Sequence, residues 1–302
     1  TGEAILVWTG QGTGQKIITG FGATNSSIYD GTTRLTIDNG DTTVITGRAT
    51  GITETVIGTT PTIVISSSDS TAWYYQNAGT VTKITDVDFP GNQTPALTIT
   101  GPFAHLDGFA CIMDTTGTIA VSDLNSVTAW TAASTVDAGT YPDQGIACLR
   151  WKRYIIGFGT ESMEFFRNAG STPCPLERVT EMAQNVGAVA ATAIAQIADH
   201  VFFVGSTPQG GLSVFRWNGE LSRISTPEID ALLLLAGSGN IIVTTMRDSG
   251  LSFVLVTGGG TTYCYILEDK FWFQMNGPAI LWTKCAGQSL GTAQDTYAIS
   301  SL

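Results

Sequence analysis

The chain has 302 residues with a hydrophobic share of 43%, enough for a large core and too much for a disordered chain. Charged residues are 13%, and 25 acids against 14 bases leave a formal net charge of −11, a balance that repels nucleic acid rather than gripping it. No uninterrupted apolar run reaches about 18 residues; the nearest approach, 229–246, is cut by Gly237, Gly239 and Asn240, so no membrane-spanning helix is expected.

In chain order, short apolar or alternating runs recur between Gly, Asn, Asp, Ser and Pro. The runs are Ala4-Ile5-Leu6-Val7-Trp8, Thr62-Ile63-Val64-Ile65, Tyr154-Ile155-Ile156-Gly157-Phe158, Val201-Phe202-Phe203-Val204 and Ser252-Phe253-Val254-Leu255-Val256. Their β-branched and aromatic content suits strands. Asp30-Gly31, Asn39-Gly40, Asn218-Gly219 and Asn276-Gly277 suit two-residue hairpin turns, whose central positions need positive φ. Apolar strands beginning near Ile63, Ala110, Tyr154, Val201 and Ser252 repeat every roughly 40–50 residues, the signature of a β-propeller with four strands per blade. The sequence therefore predicts an all-β propeller over 1–302 as one domain, with about six blades, five or seven remaining open. The first 100 residues hold 24 of the 45 Thr and repeat poorly.

Two segments carry helical signals. The Ala-rich stretch 186–198 is read as strand, because it falls where each repeat needs its innermost strand and small side chains suit the crowded axis. Around Pro227, Ser225 or Thr226 can cap, Glu228 and Asp230 suit the positive end of the dipole, and Gly237 can end the helix. A short helix is predicted there.

The sequence supplies no catalytic, cofactor or metal constellation. Cys111, Cys148, Cys174, Cys264 and Cys285 form no C-x-x-C pair and read as buried free thiols without disulfides. The paired acids Glu161/Glu164, Glu177/Glu181, Asp137/Asp143 and Asp86/Asp88 read as solvated faces. The stretches 67–73 and 122–130 miss the sialidase turn pattern, and Gly-x-Ser-x-Gly is absent. His105 reads as a loop residue and His200 as a turn cap. Lys16 in the glycine-rich 10–16 is followed by a strand, not by the helix that a phosphate-binding loop opens. Arg150-Trp151-Lys152-Arg153 is the one dense basic cluster; it reads as a hairpin tip, or as an intersubunit contact to an acidic neighbour through Arg150, Lys152 and Arg153.

An ordered set of motifs fills 101–232. Asp107-Gly108-Phe109-Ala110 precedes Ile119-Ala120-Val121-Ser122-Asp123-Leu124-Asn125 and Trp130. Tyr141-Pro142-Asp143 leads to Gly145-Ile146-Ala147. Then come Gly157-Phe158-Gly159 through Glu164-Phe165-Phe166 to Gly170, Gly187-Ala188-Val189, and Arg223-Ile224-Ser225-Thr226-Pro227. This order resembles the packaged-DNA stabilisation proteins of short-tailed phages, which form the tail hub or nozzle. The chain departs from the family at Ala138-Gly139-Thr140, where an acid is frequent before Pro-Asp, and at Pro173-Cys174-Pro175-Leu176. The resemblance implies structural roles for Asp107, Gly108, Ser122, Trp130, Pro142, Asp143, Gly159, Glu164, Gly170, Gly187, Arg223, Ser225 and Thr226.

The resemblance further implies a virion protein assembled in the host cytoplasm into a hexameric ring. A portal-adaptor would lie above it and a needle, plug or fibre below, with double-stranded DNA passing through during ejection without sequence-specific binding. An acidic chain suits such a conduit, since acidic walls let duplex phosphates slide. The alternative is a carbohydrate-binding or glycoside-processing propeller. Seven Trp could stack on sugars, but repeat-equivalent Trp usually anchor blade cores and the chain lacks near-identical sites in each repeat.

Overall fold

The computed structural model describes residues 2–8, 16–21, 27–30, 33–38, 45, 47–76, 80–206, 210–275, 281–282 and 300–301. Six sheets follow one another along the chain, five of four strands and one of five. Blade 1 comprises Gly2–Trp8, Lys16–Phe21, Ser27–Asp30 and Thr33–Arg34. Blade 2 holds Ala49–Ile57, Thr60–Ser67, Ala72–Tyr75 and Val81–Lys83, with Ile37–Asp38 added in parallel to its outer strand. Blade 3 is Ile99–Leu106, Phe109–Asp114, Thr118–Ser122 and Trp130–Asp137; blade 4 is Gly145–Trp151, Tyr154–Gly159, Met163–Asn168 and Leu176–Arg178. Blade 5 is Ile194–Ile197, His200–Ser206, Leu212–Trp217 and Leu221–Arg223; blade 6 is Ile242–Asp248, Leu251–Gly258, Thr261–Ile266 and Phe271–Met275. A short pair, Leu281–Trp282 with Ser300–Ser301, is separate. The all-β propeller reading and its blade number agree with this order.

The apolar runs that set the period are the second strands of blades 2 to 6. Successive side chains on a strand point to opposite faces, and the second strands of blades 2 to 5 have a neighbouring blade on each side. Phe202 and Phe203, both at 0% exposure, enter separate clusters: Phe203 joins Phe158, Phe165 and Trp217 toward blade 4, while Phe202 joins Val254 and Tyr265 toward blade 6. Burial of each such ring is worth about 1.5–3 kcal/mol. Aromatic edges lock the blade 4–5 contact, with Trp151 against Trp217 at 5.7 Å between centroids and Phe165 against Trp217 at 4.8 Å.

The first and second strands join through tight hairpins whose central residues take positive φ. Asp107 and Gly108 have φ of 50° and 87°, Ser249 and Gly250 of 49° and 83°, and Lys152 and Ala198 open theirs at 54° and 49°. These values match the twist of antiparallel strands. These turns and those between third and fourth strands share one end of the blades, the hairpin face. Second-to-third turns and blade-to-blade connections occupy the other end, the linker face. Asn218-Gly219 lies in a blade 5 turn with Gly219 at φ 109°; Gly31, Asn39-Gly40 and Asn276-Gly277 lie outside the described residues.

A ten-residue helix, α1 (Pro227–Ala236), connects blades 5 and 6. Thr226 is its N-cap in extended conformation, without a side-chain capping bond, and Gly237 ends it at φ 74°. Ser225 instead accepts the Val214 N–H at 3.0 Å. The reading of 186–198 as strand holds only for the innermost strand Ile194–Ile197; residues 186–190 are not strand, and Ala191–Ala193 form a 3-10 turn. His105 is corrected as well: it is not a loop residue but lies inside the innermost strand Ile99–Leu106, paired with Ala110. The turn signal of Asp107-Gly108 begins two residues later and does not reach back to it.

Candidate functional site: blade junctions and the hairpin face

The motif residues gather at two kinds of place: junctions where one blade's connection lies against the next blade, and hairpin tips. The connection from blade 3 to blade 4 supplies the densest junction. Pro142 is exposed and leads into Asp143, whose carboxylate accepts the N–H of Glu161 at 2.7 Å, the N–H of Ser162 at 3.0 Å and the Ser162 hydroxyl at 3.0 Å. The carboxylate thereby clamps the turn between the second and third strands of blade 4. Gly159 is required beside it, because a Cβ there would stand 2.2 Å from Asp143 Oδ2.

Glu164, at 0% exposure, accepts the Thr140 N–H at 2.9 Å and the Thr140 hydroxyl at 2.8 Å. Arg178 Nε lies 2.9 Å from its Oε2, an ion pair in which the N–H is not aligned as a hydrogen bond. The expectation of a solvated face therefore fails at Glu164. Both faces of this strand are covered: Glu164 shares the face of Phe166, toward blade 3, while Met163 and Phe165 are buried on the other, and the buried charge persists because Thr140 and Arg178 compensate it. Thr140, one of the departures from the family pattern, is thus a working donor at this junction.

Backbone contact continues to the next blade. A Cβ on Gly187 would meet the Gly159 carbonyl at 2.2 Å, and the Ala188 N–H donates to that carbonyl at 2.9 Å. Gly145 makes the analogous approach one blade earlier, with the Asp114 carbonyl 2.2 Å from its would-be Cβ. In blade 3, Ser122 accepts the Ala110 N–H at 2.9 Å, and Trp130 donates its indole N–H to the Val127 carbonyl at 2.9 Å while its backbone N–H reaches Asp86. Asn168 donates to Asp107 at 3.2 Å, tying hairpin tips of blades 3 and 4. Gly170 has φ 65° with open space around it, so only its backbone conformation favours glycine. Arg223 forms an ion pair with Asp230 beside Ser225 and Thr226. These contacts hold blades together; none aims a nucleophile or base into a cavity.

The basic cluster sits on the blade 4 hairpin tip. Lys152 pairs with Asp199 of the blade 5 tip at 3.5 Å and lies 4.8 Å above the Trp151 ring, and Arg150 Nε donates to the Lys152 carbonyl at 3.0 Å. Arg153 is exposed and forms no hydrogen bond or ion pair among the described residues. His105 and His200 lie on the same face. Burial lowers the His105 pKa, reinforced by Arg150 and opposed by Asp107; burial and Arg216 lower that of His200 against Asp199. His200 stacks near Phe202 at 6.2 Å and leads its strand. The linker face is more acidic: among the described residues its turns and connections carry Asp69, Asp86, Asp88, Asp143, Glu161, Glu181, Glu228 and Asp230 against Arg48.

Among the described residues no group of three or more His, Cys, Asp or Glu could hold a metal ion, and no helix is long and apolar enough to cross a membrane. Cys111, Cys148, Cys174 and Cys264 are buried free thiols; Cys285 lies outside the described residues. Burial pushes the Cys148 and Cys264 thiols up to about 12. Trp73, Trp130, Trp151 and Trp217 are all buried.

Fold comparison finds structures of low sequence identity. BBS1N in complex with ARL6DN matches at 13% identity and TM-score 0.57, over 98% of this chain and 88% of that one. The extracellular domain of the putative one component system BT4673 from B. thetaiotaomicron matches at 12% and 0.54, over 92% of this chain and 33% of that one. BamB from Moraxella catarrhalis matches at 10% and 0.53, over 99% and 80%. These likenesses concern the fold alone. No curated protein matches the sequence. A profile of the Phage_stabilise family, described as Bacteriophage P22 Gp10, beta-propeller, covers residues 31–278. That span takes in blades 2 to 6 and every motif residue named above, and the chain belongs to this family of phage structural proteins.

Proposed function

We propose that the chain is a single-propeller subunit of an oligomeric tail hub or nozzle in the virion, assembled in the host cytoplasm and forming a conduit and seal for packaged DNA. Family membership is the observation that carries this reading. The ring would hold six copies, with a portal-adaptor above and a needle, plug or fibre below. The role needs no catalysis and no cofactor, and the motif residues serve it as blade-junction contacts. The net charge of −11 supports a passage that duplex DNA crosses without base-reading contacts, since each phosphate contact adds salt-dependent affinity. Arg153, with Arg150 and Lys152, remains the candidate contact to an acidic neighbouring subunit. Burial of four tryptophans removes those rings as sugar-stacking platforms and disfavours the carbohydrate reading.

The test is genome retention. Particles assembled without this chain should fill with DNA and then lose it, and adding purified protein should restore retention. Particles that keep and eject DNA normally without it would refute the role.

A further inference from the structure

α1 departs from the pattern of a surface helix. Ile229 and Leu233, one turn apart, are buried at 1% and 0% exposure, which gives the helix its inward stripe. An ordinary surface helix is polar on the opposite side. Here Leu234 and Leu235 are 63% and 86% exposed, so the outward side carries adjacent leucines in water. Beside them opens a cleft of about 360 Å³ lined by Gly211, Leu212, Ser213, Arg223, Asp230 and Leu234, with Ala231 completing it. Asp230 Oδ2 is held by Arg223, whereas its Oδ1 is buried and has no hydrogen-bond partner. An unpartnered buried carboxylate oxygen is costly, and a donor from outside would relieve it. The helix stands on the linker face, where acids outweigh bases and the exposed Glu228 adds another carboxylate about two turns from the leucines.

We infer that the α1 ridge and its cleft form a docking surface for a segment of another polypeptide that pairs an apolar anchor with a Lys or Arg. The anchor covers Leu234 and Leu235. The cation, or an N–H beside it, donates to Asp230 Oδ1. Charge complementarity selects a basic occupant: Arg223 is engaged with Asp230, and the exposed Glu228 leaves a negative charge beside the ridge that would repel an acidic segment. The inference does not depend on the ring reading.

The probe is a Leu/Lys amphipathic helical peptide, with its Leu/Glu counterpart as control, titrated against the full chain by fluorescence anisotropy. The wild type should bind the Lys peptide and not the Glu peptide. L234S/L235S changes no charge and leaves Ile229 and Leu233 in place; with an unchanged circular dichroism spectrum, it should bind about tenfold more weakly. Asp230→Asn should also weaken binding. Equal Lys-peptide affinity for wild type and L234S/L235S, or no binding at all, overturns the inference. Sedimentation of the wild type and L234S/L235S separates the remaining occupant: self-association that the double variant abolishes assigns the ridge to a second copy and likewise overturns it.

Discussion

Substituting Gly159→Ala tests whether the Asp143 clamp is a real coupling between chain connection and blade. The three nearest atoms to the introduced Cβ all belong to the Asp143 carboxyl group, at 2.2, 2.6 and 2.7 Å. No side chain tolerates such approaches, so Asp143 must move and give up its bonds to Glu161 and Ser162. Ser162 is buried at 1% exposure, and stranding a buried donor costs about 1–3 kcal/mol, with lost bonds to a charged acceptor adding to it. Gly159→Ala is therefore expected to destabilise by about 2–4 kcal/mol. Asp143→Ala should cost about the same, since it removes the same bonds. The double variant is the decisive member: once the carboxylate is gone the new methyl has room, so Gly159→Ala should cost under about 1 kcal/mol in that background, a coupling of about 1–3 kcal/mol. Urea unfolding followed by circular dichroism, compared at equal m-values, reads these differences. Additive costs would refute the clamp.

Three further outcomes follow from the same geometry. Arg178→Met leaves the Glu164 carboxylate buried without its cation; because Arg178 is 29% exposed, the expected cost is about 2–3 kcal/mol rather than the full penalty of a dry pair, and Glu164→Gln in the same chain should recover part of it in a chemical-denaturation cycle. Gly170→Ala meets no neighbour, so only its φ of 65° opposes it, and thermal melts should show a loss of about 1–2 kcal/mol. Cys148 and Cys264 have thiol pKa values raised from 9.0 to about 12. The unfolded chain then releases these protons first, so their stability contribution is complete below pH 9 and falls as pH rises from 9 to 12, by at most about 1.4 kcal/mol per pH unit for each thiol. Cys148→Ala should flatten that alkaline decline in pH-dependent urea midpoints.

What was legible in the sequence follows burial. The second strands of blades 2 to 6 are covered on both faces, so Ile155-Ile156 and Phe202-Phe203 read as continuous apolar runs and revealed the period. The innermost strands are mixed: Ala49–Ile57 and Ile99–Leu106 interleave Gly, Thr and His with apolar residues, which is why His105 was misplaced. The two-residue strand Ile37–Asp38, pairing in parallel with Val81–Lys83, leaves no local signal. The α1 boundaries were legible because Pro227 and Gly237 act locally. At the junctions the motif residues were visible, but their partners were not. Thr140 meets Glu164 across 24 residues, and Asp143 meets Ser162 across 19; such pairs depend on which connection lies against which blade. Glu164 reads as a surface acid because sequence spacing cannot show that both faces of the third strand are covered there.

The most direct test of the central claim is cryo-electron microscopy of assembled phage particles with this chain carrying an N-terminal tag marked by gold. The account predicts a ring of propeller densities around the tail axis, on the head-distal side of the connector, with the label on that ring and a central passage as wide as duplex DNA. Particles with no label at the tail axis, or with isolated propellers away from the DNA path, would contradict it.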